Sequence, residues 1–236
     1  MLKEFAQFFL DQTQAEIMEI NGRKYTTKPV EEVFDPAPST LRLATLTGLV
    51  DYCKANVDAR ELPKLIVHVE DESNVQLLSA LHGDFLQRDI LLHIKADLLK
   101  IPFNSWLESE TFNIAMQSLF VDSPDRAAVL KVVGNIRESA VKETSDDGVS
   151  QQVVAKAGIG RVGNVSVPNP VILKPFRTFA EVEQPESQFV FRMRTGAQHP
   201  ECMLVEADGG AWRNAARQNI KDYLVKELPE GMTVIA

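Results

Sequence analysis

The chain has few of the residues that build disulfide-bonded or metal-stabilised folds. Of its 236 residues only two are cysteines, Cys53 and Cys202, and only four are histidines. The cysteines lie far apart and show no paired spacing, which excludes a disulfide framework and a zinc ribbon. We therefore expect a protein of a reducing compartment, the cytoplasm, that folds through an apolar core.

The sequence also lacks a long hydrophobic run. No stretch approaches the roughly 18 apolar residues of a membrane-spanning helix, and Glu4, Gln7 and Asp11 interrupt the pattern that a signal peptide would show. We expect no membrane association. Hydrophobic residues make up 44% and charged residues 25%, as in soluble globular proteins. The length predicts one compact unit over 1–236, or two lobes that divide near 102–137.

Positive charge is scarce in the first part of the chain. Residues 1–150 contain 15 Lys and Arg against 24 Asp and Glu, whereas residues 151–236 contain 10 against 9. Nucleic-acid binding depends on clustered cations. An overall charge of -8 therefore excludes a broadly basic surface for nucleic acid and leaves only a local basic patch as a binding site. The asymmetry would suit head-to-tail contacts between copies; a polar surface without that purpose is the simpler interpretation.

Helical and strand periodicities organise the first hundred residues. Apolar positions at helical spacing predict an N-terminal helix over 2–10. Asn21-Gly22 supplies positive φ for a type I′ turn, so 17–27 is predicted to be a hairpin. The elements predicted after it are a strand at 40–45, a helix at 49–57, and strands at 64–70, 75–81 and 89–96. Short turns between the last three strands favour an antiparallel meander.

The second half continues with helices, hairpins and a proline-rich connector. Asp147-Gly148 predicts another hairpin, and the prolines of 165–186 confine that segment to edge strands and loops. The other predicted elements are helices at 105–120 and 123–133, strands at 188–194 and 202–206, and an amphipathic helix at 212–228 capped by Asp208. The fold class is α+β: a mainly antiparallel sheet built from hairpins, with an N-terminal helix, a central helical pair and a C-terminal amphipathic helix.

Residues 158–165 (GIGRVGNV) match two phosphate-loop patterns. In a dinucleotide site the third glycine opens a helix that holds the pyrophosphate, but Pro168 and Pro170 prevent a helix here. In a kinase the same pattern precedes a catalytic lobe, yet too few residues follow and no H-R-D or D-F-G motif appears. A strand connection with flexible glycines is the preferred interpretation, and a nucleotide-binding enzyme remains an alternative.

The histidines and cysteines offer only weak site candidates. His68 and His93 lie in alternating segments and could face each other across a sheet, with Glu70 or Asp89 nearby, as in a two-histidine metal site. Hydrogen-bonded strand histidines explain the same pattern. We therefore predict no catalytic residue, cofactor or metal.

Another candidate site, a cysteine with a neighbouring histidine, lies near the C-terminal strands. His199 precedes Cys202 closely enough to suggest a thiol activated by an imidazole. Pro200 and Glu201 between them are instead typical of a hairpin turn. The turn is the preferred interpretation.

Cations and aromatic residues alternate in the C-terminal part, a mixture that single-strand nucleic-acid binders use. Phe189 and Phe191 share one face of their predicted strand, and the neighbouring arginines share the other, as in any half-buried strand. The candidate nucleic-acid contacts are Arg161, Lys174, Arg177, Arg192 and Arg194.

Several short motifs of the chain are similar to motifs of a known protein family. They are Thr111–Ile114 (TFNI), Asp146–Val149 (DDGV), Phe176–Phe179 (FRTF), Glu181–Pro185 (EVEQP) and Glu206–Trp212 (EADGGAW). With these motifs the chain resembles the YfdQ-like group of phage and prophage proteins, most strongly over residues 103–228. The resemblance implies expression from a phage or prophage in a bacterial cell, and it supplies no catalytic residue.

Two functional hypotheses follow. The first is a non-enzymatic phage or prophage protein that acts in the cytoplasm of the infected bacterium by self-assembly or by binding a phage or host protein; a homo-oligomer is expected. It is preferred because no titratable groups converge in the sequence. The second is an accessory of phage DNA replication or recombination that binds single-stranded nucleic acid through the C-terminal half.

Overall fold

The computed structural model describes residues 16–27, 32–33, 39–83, 85–134, 144–146, 151–153, 167–196 and 199–236. The chain divides into two compact units, Met1–Ser39 and Thr40–Ala236. The helix predicted at 2–10 and the glycine loop at 158–165 lie outside the described residues. Within the described part of the chain, no helix is long and apolar enough to cross a bilayer.

The fold is mixed α+β with mainly antiparallel sheets, as the sequence predicts. The strands are β1 (Ile17–Ile20), β2 (Arg23–Thr26), β3 (Glu32–Val33), β4 (Leu41–Leu43), β5 (Ile66–Val69), β6 (Asn74–Leu78), β7 (Ile90–Lys95), β8 (Leu107–Glu108), β9 (Thr144–Asp146), β10 (Gln151–Val153), β11 (Val171–Leu173), β12 (Ser187–Thr195), β13 (Pro200–Glu206) and β14 (Thr233–Ile235). The helices are α1 (Leu46–Ala55), α2 (Ser109–Ser118), α3 (Pro124–Gly134) and α4 (Trp212–Glu227). The central helical pair and the C-terminal helix are therefore confirmed.

The first unit contains a small antiparallel sheet in the order β1-β2-β3. Asn21 and Gly22 connect β1 to β2 with φ angles of 55° and 79°. These left-handed values are the ones that a type I′ turn requires, so the predicted hairpin is confirmed.

A five-stranded sheet in the order β14-β5-β6-β7-β4 opens the second unit. The predicted meander is confirmed, because β6 pairs antiparallel with both β5 and β7. Both edges are parallel instead: β14 runs beside β5, and β4 beside β7. β14 is not among the predicted strands. One face of the sheet packs on α1 and α4 and forms the first core.

A four-stranded sheet in the order β11-β12-β13-β8 is antiparallel throughout. β11 is an edge strand, as the neighbouring prolines predict. Phe189, Phe191 and Leu204 point inward and pack on α2 and α3 to form the second core. β9 pairs with β10, which confirms the hairpin around Asp147-Gly148 except for its turn, which the structure does not describe.

The chain passes between the two cores more than once. It leaves the first core near Ala96 and enters the second before Phe112. The loop between β11 and β12 then returns Phe179 and Val182 to the first core. The stretch 102–137, considered above as a division, contains α2 and α3 of the second core, whereas the compact units separate at Ser39.

Candidate functional site

Three sequence motifs meet in the second unit. Phe176–Phe179 and Glu181–Pro185 lie in the loop between β11 and β12, and Glu206–Trp212 leads from β13 into α4. Their side chains converge on Arg177, which is 7% exposed. We define the Arg177 cluster as Arg177, Ser187, Glu206, Asp208 and Trp212.

Arg177 is held on three sides. Its Nη1 lies 2.5 Å from Oε1 of Glu206, and its Nη2 donates a hydrogen bond to Oγ of Ser187. The guanidinium carbon lies 3.7 Å from the ring centroid of Trp212, a cation–π contact. Burial lowers the pKa of Arg177 to about 10, although the carboxylate of Glu206 opposes this shift. The side chain is therefore still a cation at neutral pH.

Asp208 organises the turn that starts α4. Ser187 Oγ donates to Oδ2 of Asp208 at 2.5 Å, and the N–H of Gly210 donates to Oδ1 at 2.9 Å. Burial raises the pKa of Asp208, but these hydrogen bonds outweigh it and the net pKa is lowered. Gly209 and Gly210 have φ angles of 62° and 82°, which glycine adopts without strain. The N-cap residue is Ala211, not Asp208 as the sequence suggested, because this turn adds residues before the helix.

The buried amide of Gln184 fixes the loop that carries Arg177. Its Oε1 accepts hydrogen bonds from the backbone N–H groups of Arg177 and Thr178, at 3.0 and 3.2 Å. Its Nε2 donates to the carbonyl of Phe179 at 3.0 Å. Thr178 Oγ1 in turn donates to the carbonyl of Glu72 at 2.6 Å, beside the five-stranded sheet. The loop is thus a rigid support for the cluster.

A pocket of about 490 Å³ adjoins the cluster; we call it the Trp212 pocket. Its lining residues are Ile172, Glu186, Ser187, Gln188, Asp208, Ala211, Trp212 and Ala215. The pocket therefore lies between the edge strand β11 and the first turns of α4. Polar groups of the cluster form one part of its lining, and small or apolar side chains form the rest.

The polar groups of the cluster are hydrogen-bonded to one another. Activation of a serine nucleophile uses an adjacent imidazole or amine base. The cluster and the pocket lining contain neither, and Ser187 Oγ donates to Asp208 and accepts from Arg177. These contacts fix the positions of the charged side chains.

The structure distributes the candidate nucleic-acid contacts over different environments. Lys174 pairs with Glu183, Nζ to Oε1 at 2.9 Å. Arg177 is buried as described above, whereas Arg192 and Arg194 lie on β12 opposite its buried face. Arg194 pairs at 2.6 Å with Glu201, and its guanidinium lies 4.3 Å from the ring centroid of Trp106. Arg161 is outside the described residues.

The histidine pair does not face across adjacent strands. His68 and His93 both register with Gln76, which lies on the strand between them. Glu70 accepts a hydrogen bond from Gln76, and Asp89 lies 3.0 Å from Nε2 of His82. Among the residues that the structure describes, no group of three or more His, Cys, Asp or Glu could hold a metal ion.

The structure also bears on the pairing of His199 with Cys202. Cys202 is completely buried in the second core, and burial raises the pKa of its thiol to about 12. His199 directly precedes β13, and its carbonyl accepts from the N–H of Gly196. The turn therefore lies before Pro200, and Pro200 and Glu201, which were predicted to form it, are the first residues of β13. The thiol is therefore protonated at neutral pH, contrary to what nucleophilic attack requires.

Sequence reasoning did not identify Ser187, Glu206 or Asp208 as residues of a site. A signal was present: Arg177 interrupts an aromatic segment, and the Asp-Gly-Gly turn directly precedes an amphipathic helix. Their meeting depends on the pairing of β12 with β13, which is not visible in the sequence.

No protein-family model matches the chain, and no curated protein or solved structure is significantly similar to it. The site is therefore interpreted from its own geometry.

Proposed function

We propose that the protein is a non-enzymatic phage or prophage protein that acts in the infected bacterium by self-assembly. The motif resemblance supports the phage origin. The observation that supports self-assembly is the loop between β6 and β7 together with Ile90, the first residue of β7. We call this segment the 79–90 loop, and the structure describes its residues 79–83 and 85–90.

Hydrogen bonds hold the 79–90 loop in a defined shape. His82 and Gln87 exchange both of their backbone hydrogen bonds, each at 2.9 Å. The N–H of Ser79 donates to the carbonyl of Asp89 at 3.0 Å, and Arg88 Nη1 donates to the carbonyl of Ser79 at 2.7 Å. These hydrogen bonds give the loop a defined backbone conformation within the second unit.

This loop presents apolar side chains to solvent. Phe85 is 63% and Leu86 67% exposed, and Leu81 and Ile90 are 51% and 41% exposed. Leu86 has a φ of 52°, a left-handed conformation that costs a branched residue about 1–2 kcal/mol. A contact that buried one such side chain fully would gain roughly 1.5–3 kcal/mol. Exposed apolar side chains at a strained loop tip are typical of a surface that contacts another protein.

The charge distribution is compatible with a second copy of the chain as the partner. Residues 1–150 are strongly acidic, whereas residues 151–236 carry a slight excess of basic residues. Two copies in a head-to-tail arrangement bring regions of unlike charge together, and this assists association.

Sedimentation velocity tests the proposal. We expect the wild-type chain of 26.3 kDa to form a defined oligomer, and the double variant Phe85→Ser/Leu86→Asn to sediment as a monomer with an unchanged circular dichroism spectrum. Asparagine tolerates the left-handed conformation of position 86, so the loop keeps its shape while its apolar tip is removed.

Val225→Gln is the matched control, because Val225 is 62% exposed on α4 and lies outside the loop. This variant is expected to remain oligomeric. A wild-type monomer at all concentrations, or an oligomer that the loop variant leaves intact, contradicts the proposal. If single-stranded DNA increases the sedimenting mass and salt abolishes the increase, the nucleic-acid hypothesis is supported instead.

A further inference from the structure

The Trp212 pocket carries one kind of charge on its lining. Its two ionisable lining residues, Glu186 and Asp208, are both acidic. Two cations lie near these carboxylates, and each also has a second carboxylate: Arg177 interacts with Asp208 and pairs with Glu206, and Lys174 pairs with Glu183. The four carboxylates together exceed the two cations. Lys174 also lies 3.4 Å from Glu186, but an exposed ion pair contributes less than about 1 kcal/mol and can be displaced. The lining therefore attracts cations and repels anions.

The shape of the pocket suits a side chain with an apolar stem. Ala211 and Ala215 are exposed and lie four residues apart, so they share one side of the start of α4. Because each carries only a methyl group, space remains between the helix and Ile172 of β11. Ile172 is 46% exposed and adds an apolar wall. Lysine and arginine combine an apolar stem with a charged head in this way.

Trp212 carries a buried hydrogen-bond donor beside the pocket. This residue lines the pocket and is 7% exposed, and its indole N–H is buried without an acceptor among the described residues. A buried donor without an acceptor costs roughly 1–3 kcal/mol. A peptide that gained access to this nitrogen would supply a carbonyl acceptor as well as a cation for the carboxylates, whereas a free amine would supply only the cation. This combination favours a polypeptide ligand.

We infer that the Trp212 pocket binds a lysine or arginine side chain presented by another polypeptide. The inference rests on the proposed function in one respect, since it assumes that the protein acts through protein contacts. Glu186 and Asp208 receive the charged head, Ile172 and the two alanines contact the stem, and Trp212 closes the site.

A peptide titration of the full-length protein tests the inference. The probe is an acetylated and amidated pentapeptide, Gly-Ala-Arg-Ala-Gly, and its control replaces arginine by the uncharged analogue citrulline. The readout is the indole N–H resonance of Trp212, which Trp106→Phe assigns because the chain has only two tryptophans. We expect a saturable shift with the arginine peptide and binding at least about tenfold weaker with the citrulline peptide.

Two substitutions locate the binding in the pocket. Glu186→Gln is expected to weaken peptide binding about three- to fivefold, because it removes one of the two lining charges. Ala215→Leu is expected to weaken it more than about tenfold, because it fills the space beside Ile172 while leucine maintains the helix.

Each substitution has a matched control. Glu230 is an exposed carboxylate that does not line the pocket, and Asn214 is exposed on the same turn of α4 as Ala215. Glu230→Gln and Asn214→Leu are therefore expected to bind the peptide like the wild type. Equal effects of a variant and its control would show a general change of surface charge or fold and would overturn the inference.

The inference is also overturned if no saturable shift occurs at millimolar peptide, or if the citrulline peptide binds equally well. Its failure is separable from that of self-assembly. Sedimentation is measured without peptide and changes residues 85 and 86, whereas the titration changes residues 186 and 215.

Discussion

At the residue scale, two arginines make the same contacts in different environments. Arg177 lies 2.5 Å from Glu206 and 3.7 Å from the ring centroid of Trp212. Arg194 lies 2.6 Å from Glu201 and over the ring of Trp106. The side chain of Arg177 is 7% exposed, however, and that of Arg194 is 52% exposed. Water therefore screens the pair of Arg194 and Glu201 more strongly than the pair of Arg177 and Glu206.

This difference predicts unequal costs for the same substitution. Arg177→Met should lower the free energy of unfolding by about 2–4 kcal/mol, because Glu206 and Ser187 lose a partner in a buried site. Arg194→Met should lower it by less than about 1 kcal/mol. Urea unfolding followed by circular dichroism measures both values. Equal losses in the free energy of unfolding would show that burial does not strengthen the contacts of Arg177.

The sequence could not separate these two residues. Both stand beside aromatic residues and both were candidates for nucleic-acid contact, since an arginine is usually exposed. Alternation along β12 correctly predicted that Phe189 and Phe191 are buried. Arg177 lies in a loop without such a period, so its burial follows only from the contacts of Gln184 and Glu206.

At the scale of elements, the turn before α4 depends on the ionised form of Asp208. The lowered pKa of Asp208 in the folded state means that its contribution to stability is present above the unfolded pKa, about 3.9, and is lost as the pH falls through the folded pKa. Asp208→Asn should lower the free energy of unfolding by about 1–2 kcal/mol at pH 7. We expect this difference to shrink below about pH 4.

Unfolding of both proteins in urea across this pH range measures the effect, and a double-mutant cycle is its control. Ser187 donates to Asp208, so Ser187→Ala should cost less in the Asp208→Asn background than in the wild type. Additive costs, or a difference that is constant with pH, would contradict the assigned role of the carboxylate.

Elements with local signals were predictable, and elements that depend on distant pairing were not. The Asn21-Gly22 turn and the amphipathic stripe of α4 are encoded in neighbouring residues, and both are confirmed. β14 has only three residues, too few for a period, and its partner β5 is distant in the chain. The parallel edges of the five-stranded sheet were missed for the same reason.

At the scale of the whole molecule, the segment with Arg177 connects the two cores of the second unit. Leu173 and Phe189 belong to the second core, whereas Phe179 and Val182, between them in sequence, belong to the first. Helix α4 follows β13 of the second core and packs in the first. The candidate site therefore lies in a segment that contributes to both cores. Unfolding of one core would for this reason destabilise the other.

This connection predicts a single cooperative unfolding transition for residues 40–236. Phe179 is 1% exposed, and Phe179→Ala should lower the free energy of unfolding by about 3–5 kcal/mol. Two single-tryptophan variants retain either Trp106, near the second core, or Trp212. Within each variant the fluorescence and circular dichroism midpoints in urea should coincide, and Phe179→Ala should lower the midpoint of both variants by the same amount. If Phe179→Ala shifts only the transition seen by Trp212, the two cores unfold independently and the segment around Arg177 does not couple them.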